Sequence, residues 1–436
     1  MTRVLDRRSF MAATGGAAAG LAGILASHRA PAHAQGTTLH ILRWNDFVPA
    51  GDEVLARQMT EASRVFGAKV TLERINANDI QARVTAAVSS GAGPDIIHML
   101  HNWAHLYEKS LVDVSDVAQA VGQAQGGYYA AAEALCRVAG TWRAVPHAIT
   151  PNLVVYRKSL HDGVGVSAFP KTWQEWREVG KKLKVKGFPV GQTVAHTFGD
   201  SPAFWYPYLW SWGGKEVEAD GKTVALDSKA TLESVKFAVA FWKDACDEDG
   251  LAWDDTSNNR AFLSGTISAT QNAASIYLVA LGDPAKFKTD KGGPLHADMG
   301  HAPLPGGPAG QFSYHGPFHH AVMGYGKNLK LAKDFLKWLH SREIYEPWFV
   351  AEKGYAIATT RVWEGHTMWN QDPVMLAFRE AARSYRLFGY AGPPSAKATE
   401  AFSKYLIVDM YAKAIQGLPP EEAVKWATGE LTKVYG

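Results

Sequence analysis

Two short stretches place aromatic rings, amides, a carboxylate and imidazoles side by side where strands should end. Trp44-Asn45-Asp46 follows the alternating run Thr38 to Leu42, and His101-Asn102-Trp103, with His105 beyond, follows Ile96-Ile97 and Met99. Flat rings cover the C–H faces of a pyranose, while amide, carboxylate and imidazole groups meet its hydroxyls, so these sets suit sugar recognition. Each residue also has a plainer role. Trp44 and Trp103 can pack into a core, and Asp46 can start a helix. The histidines invite a metal reading through His315 with His319-His320, or through His98, His101 and His105. Neither group offers a helix-borne His-x-x-x-His with an adjacent glutamate, and no thiolate lies near, so no metal and no cofactor are assigned. Gly-x-Ser-x-Gly, Walker and Gly-x-Gly-x-x-Gly signatures are absent. The rival from another class is a secreted glycoside-processing enzyme, which needs two carboxylates about 5 to 10 Å apart across a cleft; product formation separates it from a receptor.

The elements that must position these residues follow from spacing. Ile80, Val84, Ala87 and Val88 recur at helical spacing, and Gly91, Gly93 and Pro94 stop that helix. Ile96, Ile97 and Met99 then form a run suited to a strand buried on both faces. Upstream, Thr38 to Leu42 reads as a first strand, Asp52 to Phe66 as a helix, and Lys69 to Ile75 as a second strand. Strand, helix, strand, helix, strand predicts a parallel sheet with helices on its faces. The ends of the first and third strands then open on one edge, where such sheets hold ligands. Further on, Thr172 and Glu175 are spaced as a capping box, Ala230 to Cys246 and Asn328 to His340 read as helices, and Pro420 with two glutamates starts the last one.

The chain has 436 residues, 47% hydrophobic and 20% charged, enough for two or three domains. Arg7-Arg8-Ser9-Phe10-Met11 precedes the apolar run Ala12 to Ala26, and Ala32-His33-Ala34 supplies small residues for cleavage. Residues 1–34 resemble a twin-arginine export signal, the alternative being a Sec signal that carries two arginines. Losing them removes four arginines and one aspartate and leaves 41 charges of each sign. Such neutrality speaks against nucleic-acid binding and against a polybasic membrane surface. No cysteine follows the apolar run, so no lipid anchor is expected. Cys136 and Cys246 are expected as buried thiols in different lobes, unpaired.

Gly93-Pro94-Asp95-Ile96-Ile97, Pro170-Lys171-Thr172-Trp173-Gln174-Glu175, Tyr156-Arg157-Lys158 and Asn259 to Ala269 resemble, in their order along the chain, extracellular solute-binding proteins of the maltose-binding-like family. Members are receptors of ABC importers. Tyr156-Arg157-Lys158 departs from the family's Tyr-Asn-Lys, and no Gly-Pro-Trp run follows Gln271-Asn272. The resemblance implies an α/β, two-lobed periplasmic-binding-protein fold of type II, with discontinuous domains joined by three hinge crossings. It assigns 36–146 plus 270–318 to lobe one and 147–269 plus 319–436 to lobe two, with the site between.

On this resemblance Trp44, Asn45, Asp46, His101, Asn102, Trp103, Gln271 and Asn272 contact ligand from lobe one. Thr150, Trp205, Tyr206, Trp210 and Tyr355 do so from lobe two, with His315 and Phe318 near the third crossing. Trp205, Trp210 and Trp212 are expected around the start of a lobe-two helix as an aromatic platform. Trp173, Trp176, Trp242, Trp338 and Trp426, at apolar helical spacing, are expected in cores. The implied partners are a small molecule, first a sugar or sugar derivative, and the permease subunits of the inner membrane. The receptor is expected as a periplasmic monomer. A polyol or polyamine ligand stays open, a polyamine calling for several carboxylates in the cleft, and Arg43, Arg143 and Arg260 leave an anionic sugar open.

Overall fold

Gly91 and Gly93, at φ 63° and 147°, turn the chain out of the helix Ile80–Ser90 and into a strand whose five residues are all buried. That strand is the centre of the larger of two lobes. The computed structural model describes residues 36–381, 383 and 385–436, so the expected leader over 1–34 lies outside the described residues. No helix among the described residues is long and apolar enough to cross a membrane.

The strands in chain order are β1 (Thr38–Trp44), β2 (Lys69–Ile75), β3 (Ile96–Leu100), a short pair β4 (Arg137–Val138) and β5 (Thr141–Trp142), then β6 (Val145–Thr150), β7 (Leu153–Arg157), β8 (Ala269–Asn272), β9 (Met299–Ala302), β10 (Gly316–Val322) and β11 (Ile357–Ala358). The larger sheet has the order β11-β6-β10-β3-β1-β2. β1 runs parallel to β2 and β3, as the alternation of strands and helices predicts. β10 inserts antiparallel between β3 and β6, with a register shift at Phe318/His319. The smaller sheet, β8-β7-β9, is antiparallel throughout.

Two segments lie on the other sheet from the one expected. The strand Ala269–Asn272 pairs with β7 and stays in lobe two, and β9 joins it there. Residues from 316 to beyond 358 instead complete the larger sheet: β10 and β11 pair within it, and the helix Leu329–Leu339 packs on β10 and on the helix Pro49–Phe66. The three passages between lobes are therefore Pro151-Asn152, the Gly/Pro-rich stretch 303–315, and the stretch leading from Ala381 to Phe388, beyond which the C-terminal helices pack into the second core. A short apolar run does not specify whether its partner is parallel or antiparallel, and this is where sequence reasoning stops.

The second core is built on aromatic rings from the helices Trp173–Val185, Asp200–Trp212, Lys229–Ala245 and Leu406–Ile415. Trp173, Trp176 and Trp242 are buried in it, Trp338 is buried in the first core, and Trp426 is half-buried beneath the Lys413 ammonium. The capping box forms: Thr172 Oγ1 accepts from the Glu175 amide at 3.2 Å while the Glu175 carboxylate accepts from the Thr172 amide at 3.1 Å. Arg157, the departure from Tyr-Asn-Lys, has a partner of its own. Its Nε donates to Asp298 at 2.8 Å and joins the end of β7 to the start of β9. Cys136 and Cys246 are free, buried, and sit in different cores.

Candidate functional site

Because β3 is parallel to β1 and β10 runs back against both β3 and β6, the ends of β1, β3 and β6 and the start of β10 meet on one edge. Trp44, His101, Thr150 and Phe318 come together there, joined by Phe47, Leu100 and Tyr355, and form one wall of an interlobe cleft. The facing wall is Asn272, Ala273 and Ser275, just past β8, with Phe198, Gly199, Asp200 and Asp255. Asn152 and Tyr314, from two of the crossings, close the sides. The lobes touch across the gap, Trp44 lying 5.3 Å from Phe198 between ring centroids, and about 60 Å³ remains open to water centres. That is room for a few waters, so a larger solute enters only as the lobes part.

The first wall is an aromatic surface. Trp44 and Phe318 stack with centroids 5.1 Å apart and planes 28° apart, and Phe47 meets Trp44 edge-on at 5.6 Å. The indole Nε1 of Trp44 and the hydroxyl of Thr150 are buried without a partner, two polar groups available to a ligand in the cleft. His101, at φ 49°, shares a short hydrogen bond with the Tyr314 hydroxyl through Nδ1, and its Nε2 has no partner. Burial holds its pKa down to about 3, so the ring is neutral.

The second wall carries the charge. Asp255 accepts the amides of Gly199 at 3.0 Å and Asp200 at 2.8 Å, and so caps the helix Asp200–Trp212 from outside it. Asp200 accepts from Asn258 Nδ2 at 2.7 Å. Burial raises both carboxyls; the Asp255 charge raises Asp200 further, whereas amide donors hold Asp255 back. Two neighbouring carboxyls cannot both ionise cheaply, and Asp200, which faces the Asp255 charge without the amide donors that Asp255 has, is the harder of the two to ionise. The pair offers a hydroxyl-bearing solute one donor and one strong acceptor. Both sit on the same wall at one helix start, not across the cleft as two glycosidase carboxylates must.

Of the residues singled out by sequence, Trp44, His101, Thr150, Asn272, Phe318 and Tyr355 share this cleft, although Thr150, on β6, and Tyr355, beside β11, reach it from the larger lobe and not from lobe two, and Asn272, on β8, reaches it from lobe two and not from lobe one. Asn272 is tied to Asn259 and accepts from Ser275 Oγ at 2.9 Å. Gln271 and His315 line a neighbouring depression. Gln271 Nε2 donates to Ala203 O at 3.0 Å, while His315 takes the Asn152 amide at 3.1 Å on Nδ1 and donates Nε2–H to Ala381 O at 2.8 Å. Trp103 lines a third recess behind His101.

The others stand apart. Asn45 is exposed, its amide donating to Ile75 O. Asp46 is taken by Arg43 Nη2 at 2.7 Å and the Val48 amide at 3.0 Å. Asn102, fully buried, donates to Phe388 O at 3.0 Å and ties the C-terminal segment to β3's end. Trp205, Tyr206 and Trp210 are buried in the second core, Trp205 stacking on Tyr411 at 4.7 Å. The expected platform rested on a helix starting near Trp205. The helix starts at Asp200, which places those rings in its body and brings its acidic N-terminus to the cleft. Asp200-Ser201-Pro202, an acid and a proline in the first turn, is the signal that locates this start. Phe198 and Asp255 lie in loops with no such signal.

The cleft geometry agrees with what comparison finds. A sequence model of the family described as bacterial extracellular solute-binding protein matches residues 59–346, about two thirds of the chain. No curated protein matches. Among solved structures, maltose-bound MalE3 of T. maritima aligns with a TM-score of 0.77 at 20% identity, over 91% of this chain and 100% of that one. A solute-binding protein of an ABC transporter from Thermotoga lettingae, bound with α-D-tagatose, gives 0.76 at 18% identity over 92% and 100%. One from Agrobacterium radiobacter in complex with ribitol gives 0.74 at 20% over 92% and 99%. At these identities the alignments establish the two-lobed α/β fold.

Proposed function

The chain belongs to the bacterial extracellular solute-binding proteins, and from that membership we propose that it is a receptor which captures a carbohydrate or polyol between its lobes and hands it to an ABC permease. The observation that carries this reading is the pairing of the Trp44–Phe318 ring surface with the Asp200–Asp255 pair across one gap. Rings bury the apolar face of the solute, and the carboxyl pair, Thr150 and Asn272 satisfy its hydroxyls. Maltose, tagatose and ribitol in the similar structures support a hydroxyl-rich ligand. Among the described residues no arginine lines the cleft, whose charge is acidic, and this favours a neutral solute over an anionic sugar. Arg43, Arg143 and Arg260 are engaged by Asp46, Glu108 and Asp254.

Ligand that touches both walls stabilises the closed arrangement, and ligand touching one cannot. The lobes divide, in this reading, as 36–150 with 316–381 and 152–302 with 388–436. The mature chain begins after Ala34, crosses the inner membrane by the twin-arginine route, and works in the periplasm as a monomer without turnover. Calorimetric titration of the mature chain with mono- and oligosaccharides and polyols, followed by product analysis, tests the proposal. Saturable binding of one compound recovered intact agrees with it, and hydrolysis of any compound replaces the receptor by the enzyme.

A further inference from the structure

Behind the aromatic wall, on the face of the larger sheet that the helices Leu329–Leu339 and Arg342–Ala351 cover, four histidines meet that are scattered in sequence. His98 lies on β3, His320 directly opposite it on β10, and His147 on β6 beyond. His340 closes the group from the end of the helix Leu329–Leu339. Neighbouring strand residues point to opposite faces, so the doublet His319-His320 is split and only His320 joins the group. Neither of the histidine sets suggested by sequence spacing assembles as such.

We propose that His98, His147 and His320 form a buried site for a divalent transition metal of the Zn²⁺ class. One ring nitrogen from each lies within 4.8 Å of the other two. Tetrahedral Zn²⁺ with bonds of about 2.0–2.1 Å holds its nitrogens roughly 3.3 Å apart, a contraction that small ring rotations supply. The rings are 2%, 5% and 4% exposed. Both nitrogens of His98 and Nδ1 of His147 have no hydrogen-bond partner, an unusual state for buried imidazole that a metal bond to the lone pair relieves. His320 Nδ1 is engaged by His340 Nε2 at 3.1 Å, which orients the ring and leaves Nε2 as the metal donor.

Burial and mutual repulsion keep all three imidazoles neutral, the form that ligates. Arg43, the cation that faces the group among the described residues, is paired with Asp46 at 2.7 Å and with Asp52 at 3.7 Å. A metal here fastens β3, β10 and β6 to one another. His320 is two residues from Phe318 and His147 three from Thr150, so the aromatic wall of the cleft is what it steadies.

The test uses the untagged mature chain, stripped in denaturant with chelator and refolded with or without Zn²⁺ or Co²⁺. We expect one equivalent of metal retained through gel filtration, a higher melting midpoint than in chelator, and a Co²⁺ spectrum of tetrahedral nitrogen ligation. His147→Gln should weaken uptake at least tenfold, and His196→Ala, at the surface, should leave it unchanged. Refolded wild type that retains no metal overturns the site. So does uptake that persists in His147→Gln or is lost in His196→Ala. Should His147→Gln fail to fold, the Co²⁺ spectrum of wild type decides: tetrahedral nitrogen bands support the site, and octahedral oxygen bands overturn it.

Discussion

Trp44 contributes a ring face already stacked on Phe318 and an indole N–H with no partner. Its replacement by alanine removes half of the stacking surface that a sugar would meet. We expect Trp44→Ala to weaken binding by about 2 kcal/mol, roughly thirtyfold, and, because the indole is buried, to lower the melting midpoint of the free chain as well. Titration of both chains with the same compound measures it; an unchanged affinity would remove the ring from the site. Asp200 and Asp255 should respond differently. Burial and the neighbouring Asp255 charge make Asp200 hard to ionise, so Asp200→Asn, which keeps a donor, should change affinity by less than about threefold. Asp255→Asn loses an anion that caps a helix through two amides, and about 1–2 kcal/mol of stability should go with it. Denaturant melts of the two variants compare these directly. A third residue reports through pH. Glu216 is fully buried, accepts only the Gly389 amide, at 3.0 Å, and is pushed by burial from 4.5 up to about 8. The native state therefore holds a proton that the unfolded chain releases between those values. Its contribution is complete below pH 4.5 and is lost as pH rises through about 8. Wild type should lose stability from this source between pH 5 and 8, and Glu216→Gln should flatten that slope. Denaturation midpoints at the two pH values decide, an unchanged slope in the variant counting against it. At this scale the sequence carried Trp44, His101, Thr150, Asn272, Phe318 and Tyr355 to the cleft. It failed for Asp46, whose carboxylate is absorbed by Arg43 three residues away, a contact that spacing permits but does not require.

Elements explain most of the remaining successes and errors. The helix Asp200–Trp212 is the instructive case, since it is apolar on nearly every face and buried from Ser201 to Ser211. With no polar stripe there is no phase to read, and an error of about five residues in its start exchanged core positions for cleft positions. The helix Trp173–Val185, by contrast, announced itself through a capping box that forms as spaced. Thr172→Ala should cost about 1 kcal/mol in a denaturant melt, and no change would mean the Glu175 side chain alone suffices. Strand pairing was the harder inference. β8 follows a short helix and a glycine, and β10 follows β9 and a Gly/Pro-rich loop, patterns open to strands of either lobe, and only tertiary pairing assigns them. The Arg157–Asp298 bond shows what holds the smaller sheet. Asp298 is half-buried and also accepts from the Ser159 amide and hydroxyl at 2.8 and 2.7 Å, so Arg157→Ala should destabilise chiefly by removing a buried side chain and its ion pair, while Ser159 still partners the carboxylate.

At the scale of the whole molecule, closure is written into contacts that join residues from both lobes: Gln81 Nε2 to Ser403 Oγ at 2.6 Å, Asn102 to Phe388 O, and Trp44 against Phe198. The order of motifs gave the two-lobed fold, because two of the crossings leave local signatures, Pro151 at the first and the Gly/Pro-rich stretch 303–315 at the second, whereas the third carries neither residue. It gave no view of the acidic pair on the facing wall, because Asp200 and Asp255 meet over 55 residues of separation. The buried histidines make a further demand on the molecule. Burial lowers His101, His319 and His340 to about 3 and His301 and His315 to about 4, so the folded chain resists protons that the unfolded chain accepts near 6.5. Stability from these rings is present above pH 6.5 and should fall as pH drops from there toward 4. The most direct measurement of ligand capture is thermal melting of the mature chain against sugars, polyols, sugar acids and polyamines, at neutral pH. A bound solute at about 100 times its dissociation constant adds roughly 2.7 kcal/mol, which for lobes of this size raises the midpoint by roughly 5 to 10 °C. The cleft predicts that shift for one neutral sugar or polyol, and its loss at the same concentration in Trp44→Ala. A shift confined to sugar acids or polyamines, or one of full size in Trp44→Ala, would contradict it.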